Sequence, residues 1–175
     1  MAKGKKEQEF IAAYNKYFDA IYRHCYFSIL NKEIAEDLAQ ETFIKTWKYI
    51  ADGKIIRDIK PFLYRVATNL IIDYSRKRKP VPLDDIKENT ISIRPNNRGN
   101  GEIIDKIETK EIIGVLEGLA DPYRKVVIMR YIDEFTPKEI AEILDLSANV
   151  VSVRIHIGLK KLRKILKEKY HHYEH

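Results

Sequence analysis

The run TPKEIAEILDLSANVVSVRIHIGLKKL, Thr136 to Leu162, leaves few folds open to the chain that carries it. Thr136 and Glu139, three residues apart, form a capping box, and Pro137 takes the first helical position, where its missing N–H costs nothing. Ile140, Ile143 and Leu144 give that helix a buried face. Asp145-Leu146 leaves room only for a short turn, and Ser147 is a natural cap for a second helix. Two helices joined this tightly make a helix-turn-helix, whose second helix enters the DNA major groove.

The second helix has a rival pattern. Val151, Val153, Ile155, Ile157 and Leu159 alternate at period two, as in a half-buried strand, whereas Val151, Ile155, Gly158, Leu162 and Leu166 follow one helical face. A strand would have to sit between one helix and the strongly helical KKLRKILKEK with no turn signal on either side, so the helix is expected. Val151, Ile155, Leu159, Leu162 and Leu166 then form its buried side. The outer side offers Asn149, Ser152, His156, Lys160 and Lys161 to base edges and phosphates, with Ser147 and Arg154 beside them. Val153 and Ile157 are extra apolar residues on another face, suited to thymine methyl groups or to cover by a partner.

Charge is distributed in blocks. The chain of 175 residues has a net charge of +6. Residues 1–79 carry +6, residues 80–101 are neutral, residues 102–146 carry −5 and residues 147–175 carry +5. Two basic segments, each ending a lobe, suit two contacts on one polyanion. No apolar run is long enough for a transmembrane helix, and MAKGKKEQEF lacks the apolar core of a signal peptide, so a soluble, cytoplasmic protein without membrane insertion is expected. The single Cys25 falls on an apolar helix face and reads as a buried structural thiol. The tail HHYEH reads as a frayed terminus. Gly-rich phosphate loops, HExxH and GxSxG are absent, so neither an enzyme nor a cofactor or metal is expected.

Everything regular in the chain reads as helical, giving an all-α fold of two small domains, 1–79 and 102–175, on a flexible linker, 80–101. Phe10, Tyr14, Tyr17, Phe18, Ile21, Cys25 and Ile29 make a 3.6-residue stripe. From Glu33 to Ile50, Ala35, Leu38, Ala39, Phe43, Trp47 and Ile50 face one side, and Glu33, Glu36, Asp37, Gln40 and Glu41 the other. A third helix opens with Pro61, buries Leu63, Val66, Ala67, Leu70 and Tyr74, and ends in Arg76 to Lys79 before Pro80. PVPLDDIKENTISIRPNNRG has no sustained period and reads as the linker. Periodicity resumes with Ile104, Ile107, Ile112, Leu116 and Leu119, and Asp121-Pro122 reads as a cap followed by Pro at the first helical position, starting PYRKVVIMRYI.

AEDLAQETFIKTWKYI, followed by PFLYRVATNLIIDYSRKRK, resembles region 2 of the bacterial extracytoplasmic-function sigma factors, and LADPYRKVVIMRYIDEFTPKEIAEILDLSANVVSVRIHIGLKKLRKIL resembles their region 4. The two matches occur in the family's order and cover most of the chain, and the absence of further domains resembles this compact class. The resemblance implies a factor that binds core RNA polymerase, its β′ and β subunits, and makes it promoter-specific. It assigns the polymerase contact to the helix of Glu36, Asp37, Gln40 and Glu41, whose acidic face would meet basic groups. It assigns −10 strand capture to the third helix and the loop before it. Arg65, Asn69 and Arg76 share a face there. Asn69 can donate and accept to a base, and Arg57, Lys60 and Arg76, Lys77, Arg78 and Lys79 can neutralise phosphates. Tyr64 is a candidate stacking platform, with a packed aromatic the equal alternative. The loop ADGKIIRDIK offers no base-specific residue by itself. The −35 contacts fall to the outer side of the second helix of the helix-turn-helix, where the family more often has polar residues in place of Val153 and Ile157 and Ala in place of Gly158. An anti-sigma factor is a further implied partner.

Two rivals remain at this level. A helix-turn-helix regulator that binds DNA without polymerase would need a ligand-sensing amino-terminal half. A phosphoryl-transfer or metal enzyme would need ligand clusters that the chain does not display.

Overall fold

The computed structural model describes residues 2–78 and 102–171, with side chains given for 4–78 and 110–171. The expected linker, Lys79, Ile104, Ile107 and the tail after His171 lie outside the described residues or side chains. All regular structure among the described residues is helical: α1 (Ala2–Ile29), α2 (Lys32–Ala51), α3 (Ile59–Arg78), α4 (Glu102–Glu117), α5 (Asp121–Val127), a π-helical turn (Ile128–Ile132), α6 (Pro137–Leu144) and α7 (Ala148–His171).

Helices α1, α2 and α3 pack as a three-helix unit around Ile21, Cys25, Ala35, Leu38, Ala39, Phe43, Leu63 and Ala67. Asn31 caps α2, its side-chain oxygen accepting from the Ile34 N–H at 3.1 Å. Thr42 and Thr46 sit in the core of α2 and donate their hydroxyls to the Leu38 and Thr42 carbonyls, so no buried polar group is stranded there. Helix α3 starts two residues before Pro61, where Asp58 accepts from the Lys60 N–H; ends of this kind commonly move by a residue or two. Cys25 is fully buried, and burial pushes its thiol up to about 12, which makes it structural.

In the second unit, α5, α6 and α4 each pack on α7. Two expectations at its start are corrected. Ile113, not Ile112, joins Leu116 and Leu119 in the core, while Ile112 is 42% exposed, because the buried stripe follows the three-residue step from 113 to 116 to 119. The cap of α5 is Ala120 rather than Asp121, and Pro122 is not its first residue. The Asp121 carboxylate accepts from the Arg124 guanidinium and so leaves the backbone N–H groups alone.

The helix-turn-helix forms as the caps predict. Thr136 Oγ1 accepts from the Glu139 N–H at 3.2 Å and donates to its carboxylate at 2.9 Å. Asp145 takes the left-handed conformation that ends α6, φ 54°, and Ser147 Oγ accepts from the Val150 N–H at 3.1 Å. Helix α7 buries Val151 and Ile155, but Leu166 is 37% exposed and lies on the rim of an apolar groove rather than in the core. Gly158 is where α7 crosses α5: a Cβ there would lie 2.8 Å from Val127 Cγ2. The lost helix propensity, about 1 kcal/mol relative to Ala, is offset by the close approach of two helices.

The two units are packed directly together. Helix α6 lies on α3 and the π turn lies on α1, so one apolar cluster runs from Ile21, Leu63 and Tyr64 into Met129, Phe135 and Ile140.

Candidate nucleic-acid and polymerase interfaces

Three surfaces carry the residues selected from the sequence. The first is the outer face of α2. Glu36, Asp37, Gln40 and Glu41 are all exposed and are backed by the buried Ala35, Leu38, Ala39 and Phe43. Among the described residues, only Glu41 of these has a cationic neighbour, Lys45 at 4.0 Å, one turn along the same helix. An exposed pair of this kind contributes at most about 0.5 kcal/mol and leaves the carboxylates available. Trp47 is half-buried against Phe10, ring centroids 5.1 Å apart, and so serves packing.

The second surface is the outer side of α7. Ser147, Asn149, Ser152, His156, Lys160 and Lys161 are exposed, and Val153 is 49% exposed in their midst. Ile157 and Arg154 are partly buried at its edge. Lys161 reaches back over the Tyr123 ring, 4.5 Å from its centroid, which steadies the long side chain without removing its charge. The strand-like period is thus explained: Val153 stands outward among the polar residues and Val151 inward.

The third surface is α3 with its preceding loop, and here the structure departs from the simple expectation. Arg57 is exposed in the loop, beside Ile55 at 86% exposure, and Arg76, Lys77 and Arg78 project from the end of α3. The middle of the helix is engaged by the other unit. Arg65 donates to the Glu142 carbonyl of α6 at 2.7 Å. Asn69 opens into a space of about 410 Å³ whose far wall is Ile143, Leu144 and Asp145. The Lys60 ammonium lies 4.8 Å over the Phe135 ring. Tyr64 is not a stacking platform in this arrangement: it is 2% exposed, packed edge-on between Phe135 at 4.7 Å and His24 at 5.1 Å. Burial, with the nearby Asp133 carboxylate, pushes its phenol well above the ordinary value.

Behind Tyr64 is a polar cluster that sequence reasoning missed. His24 on α1 is 1% exposed, and its Nδ1 donates to Asp133 Oδ2 at 2.6 Å. Its Nε2 meets Thr68 Oγ1 on α3 at 3.3 Å. The signal available in the sequence was a histidine on the apolar stripe of Ile21, Cys25 and Ile29. A buried imidazole there needs a partner, and none is near it in sequence.

Comparison with known proteins gives these surfaces a common frame. Residues 13–81 match the family model Sigma-70 region 2, and residues 109–162 match Sigma-70, region 4. The chain is 37% identical over 160 residues to the ECF RNA polymerase sigma factor SigW of Bacillus subtilis, covering 87% of this chain and 86% of that protein. It is 32% identical over 148 residues to SigM of the same organism, covering 80% and 85%. Among solved structures, the sigma factor RpoE in complex with the anti-sigma factor NepR from Bartonella quintana superimposes with a TM-score of 0.69 at 19% identity, covering 91% of this chain and 98% of that one. CnrH in complex with the cytosolic domain of CnrY does so with a TM-score of 0.70 at 20% identity, covering 93% and 90%. At these identities the structural likeness concerns the fold.

Proposed function

The chain belongs to the extracytoplasmic-function sigma factors of the sigma-70 family, and we propose how its surfaces divide the work of making RNA polymerase promoter-specific. A sigma factor binds the core enzyme, directs it to promoters and helps open the −10 region; it is a non-catalytic initiation factor. The unit of residues 1–79 docks on the β′ subunit through Glu36, Asp37, Gln40 and Glu41, an exposed anionic face with a rigid apolar back. It captures the melted −10 strand with Arg57, Lys60, Arg65, Asn69 and the basic run Arg76 to Lys79. The unit of residues 102–175 reads the −35 major groove with the outer side of α7, from Ser147 to Lys161, and the linker, residues 80–101, threads toward the polymerase's RNA exit path. An anti-sigma factor is the expected inhibitor, as NepR and CnrY accompany RpoE and CnrH. The site of action is cytoplasmic; among the described residues no helix is long and apolar enough to cross a membrane.

The observation that supports this division best is that the three surfaces lie on separate helices, each with its own apolar back. Run-off transcription with purified core polymerase tests it. Promoter-specific transcripts are expected only with the chain present, and failure to bind core polymerase would reject the assignment.

A further inference from the structure

His24, Thr68 and Asp133 belong to three segments, α1, α3 and the end of the π turn, and they meet with less than a tenth of any of them exposed. Two of the segments come from the amino-terminal unit and one from the carboxy-terminal unit. The π turn makes the meeting possible. Its widened turn, closed by the Asp133 N–H on the Ile128 carbonyl at 3.0 Å, inserts one residue and re-aims the chain beyond it. Glu134 at φ 61° then reverses the chain. Asp133 and Phe135 both end up pointing into the other unit, Asp133 at His24 and Phe135 at Tyr64.

We propose that His24, Thr68 and Asp133 are an interdomain clasp that holds the free chain closed, with helix α6 over the strand-capture face of α3, so that promoter opening requires the clasp to be released. The inference rests on the assignment of −10 capture to α3. In the closed form Arg65 is tied to the Glu142 carbonyl, Lys60 is drawn onto Phe135, and Asn69 faces Ile143 and Leu144 across the space of about 410 Å³. Arg65 and Asn69 stay open to solvent on one side, and a strand seated on both would have to break the Arg65–Glu142 contact and part α6 from Asn69. The polymerase face of α2 and the outer side of α7 stay exposed.

The chemistry of the clasp suits a closure that can be undone. A buried carboxylate and imidazole satisfy each other at 2.6 Å, and the second ring nitrogen is met by a hydroxyl that can either donate or accept. Yet Asp133 Oδ1 is buried with no partner among the described residues. That oxygen regains water when the units part, so the closed state carries a built-in cost that a competing partner can exploit. Beside the clasp a cavity of about 230 Å³ lies between the units, lined by Arg76, Arg124 and Lys125 among others. Asp121 pairs with Arg124 in that lining, and burial holds the Lys125 ammonium below its ordinary value.

The test uses the full chain without polymerase. Lys45→Cys and Lys164→Cys place spin labels on α2 and α7, both exposed, while Cys25 is buried and does not react. A single short interdomain distance is expected in the parent. His24→Leu leaves the Asp133 carboxylate buried without its partner and should shift the open-to-closed ratio about a hundredfold, with helical content retained. Asp133→Asn, which keeps the shape and removes the charge, should shift it about tenfold and covers the case in which His24→Leu fails to fold. An unchanged distance in folded Asp133→Asn overturns the clasp, as does a parent that is already open. The same variants should bind a labelled mixed-sequence single-stranded deoxyoligonucleotide more tightly, by the factor of opening. Opening without that gain keeps the clasp and overturns the assignment of the α3 face.

Discussion

Helices α3 and α7 are both assigned to DNA, and they sit differently in the closed molecule. The outer side of α7 is uncovered along its length, from Ser147 to Lys161. The first two turns of α3 are engaged by α6 and the segment leading into it, through Lys60, Tyr64 and Arg65, with the Arg65 and Asn69 side chains still partly open to solvent. The difference matches the task of each helix. Duplex reading needs a rigid polar ridge that water can cover between encounters. Strand capture needs cations and a pocket for an unstacked base, a surface that attracts any single strand. Covering the second while leaving the first open lets the chain meet promoter duplex before it can hold melted strands.

The largest expected effect breaks the open side of that comparison. Lys160→Glu combined with Lys161→Glu should weaken binding to −35 duplex by about a hundredfold and reduce the salt slope by roughly two. Because this face is not covered, the loss should be the same with the clasp intact or released, as measured by fluorescence anisotropy at several salt concentrations. A loss that appears only after release would show that α7 is shielded too.

Next is the platform beneath α7. Gly158→Ala improves helix propensity, yet its Cβ would press on Val127, a buried β-branched side chain with little freedom to move. Net destabilisation of about 2 kcal/mol is expected from overpacking, read by denaturant melts. Val127→Ala in the same chain should recover part of it. A stabilised Gly158→Ala would mean that α5 and α7 are less tightly seated than the structure shows.

Asn69→Ala sharpens the covered side. In holoenzyme it should slow promoter opening about tenfold, the loss of one hydrogen-bonding side chain at a captured base, with core binding intact. In the free closed chain it should change single-strand binding little, because Asn69 faces α6 there. Loss of core binding instead would make Asn69 a structural residue.

These effects also mark where sequence reasoning succeeds and where it stops. The caps at Thr136 and Ser147, the turn at Asp145 and the exposed face of α2 were legible because each depends on residues within one or two turns of one another. Ile112 and Leu166 were misplaced by one helical position or at a helix end, where a stripe drifts and the partner surface decides burial. The clasp was not legible at all. His24 and Asp133 are 109 residues apart, and their meeting depends on a π turn that inserts one residue into an otherwise regular period. For Tyr64 the sequence supports a stacking platform and a packed aromatic equally, and the contact that decides for packing comes from Phe135, 71 residues away.

The smallest effect separates the two helices of the helix-turn-helix by what each touches. Thr136→Ala and Ser147→Ala each remove a cap, worth about 1 kcal/mol, and should lower stability to a similar degree. Their consequences for closure should differ. Thr136 comes directly after Phe135 and fixes the start of α6, the helix lying on α3, so its loss should also raise the open fraction, by less than the clasp variants do. Ser147 fixes the start of α7, which packs on α5 and α6, and its loss should leave the interdomain distance unchanged. Equal opening in both variants would mean that closure tracks the general stability of the carboxy-terminal unit and not the seat of α6 on α3.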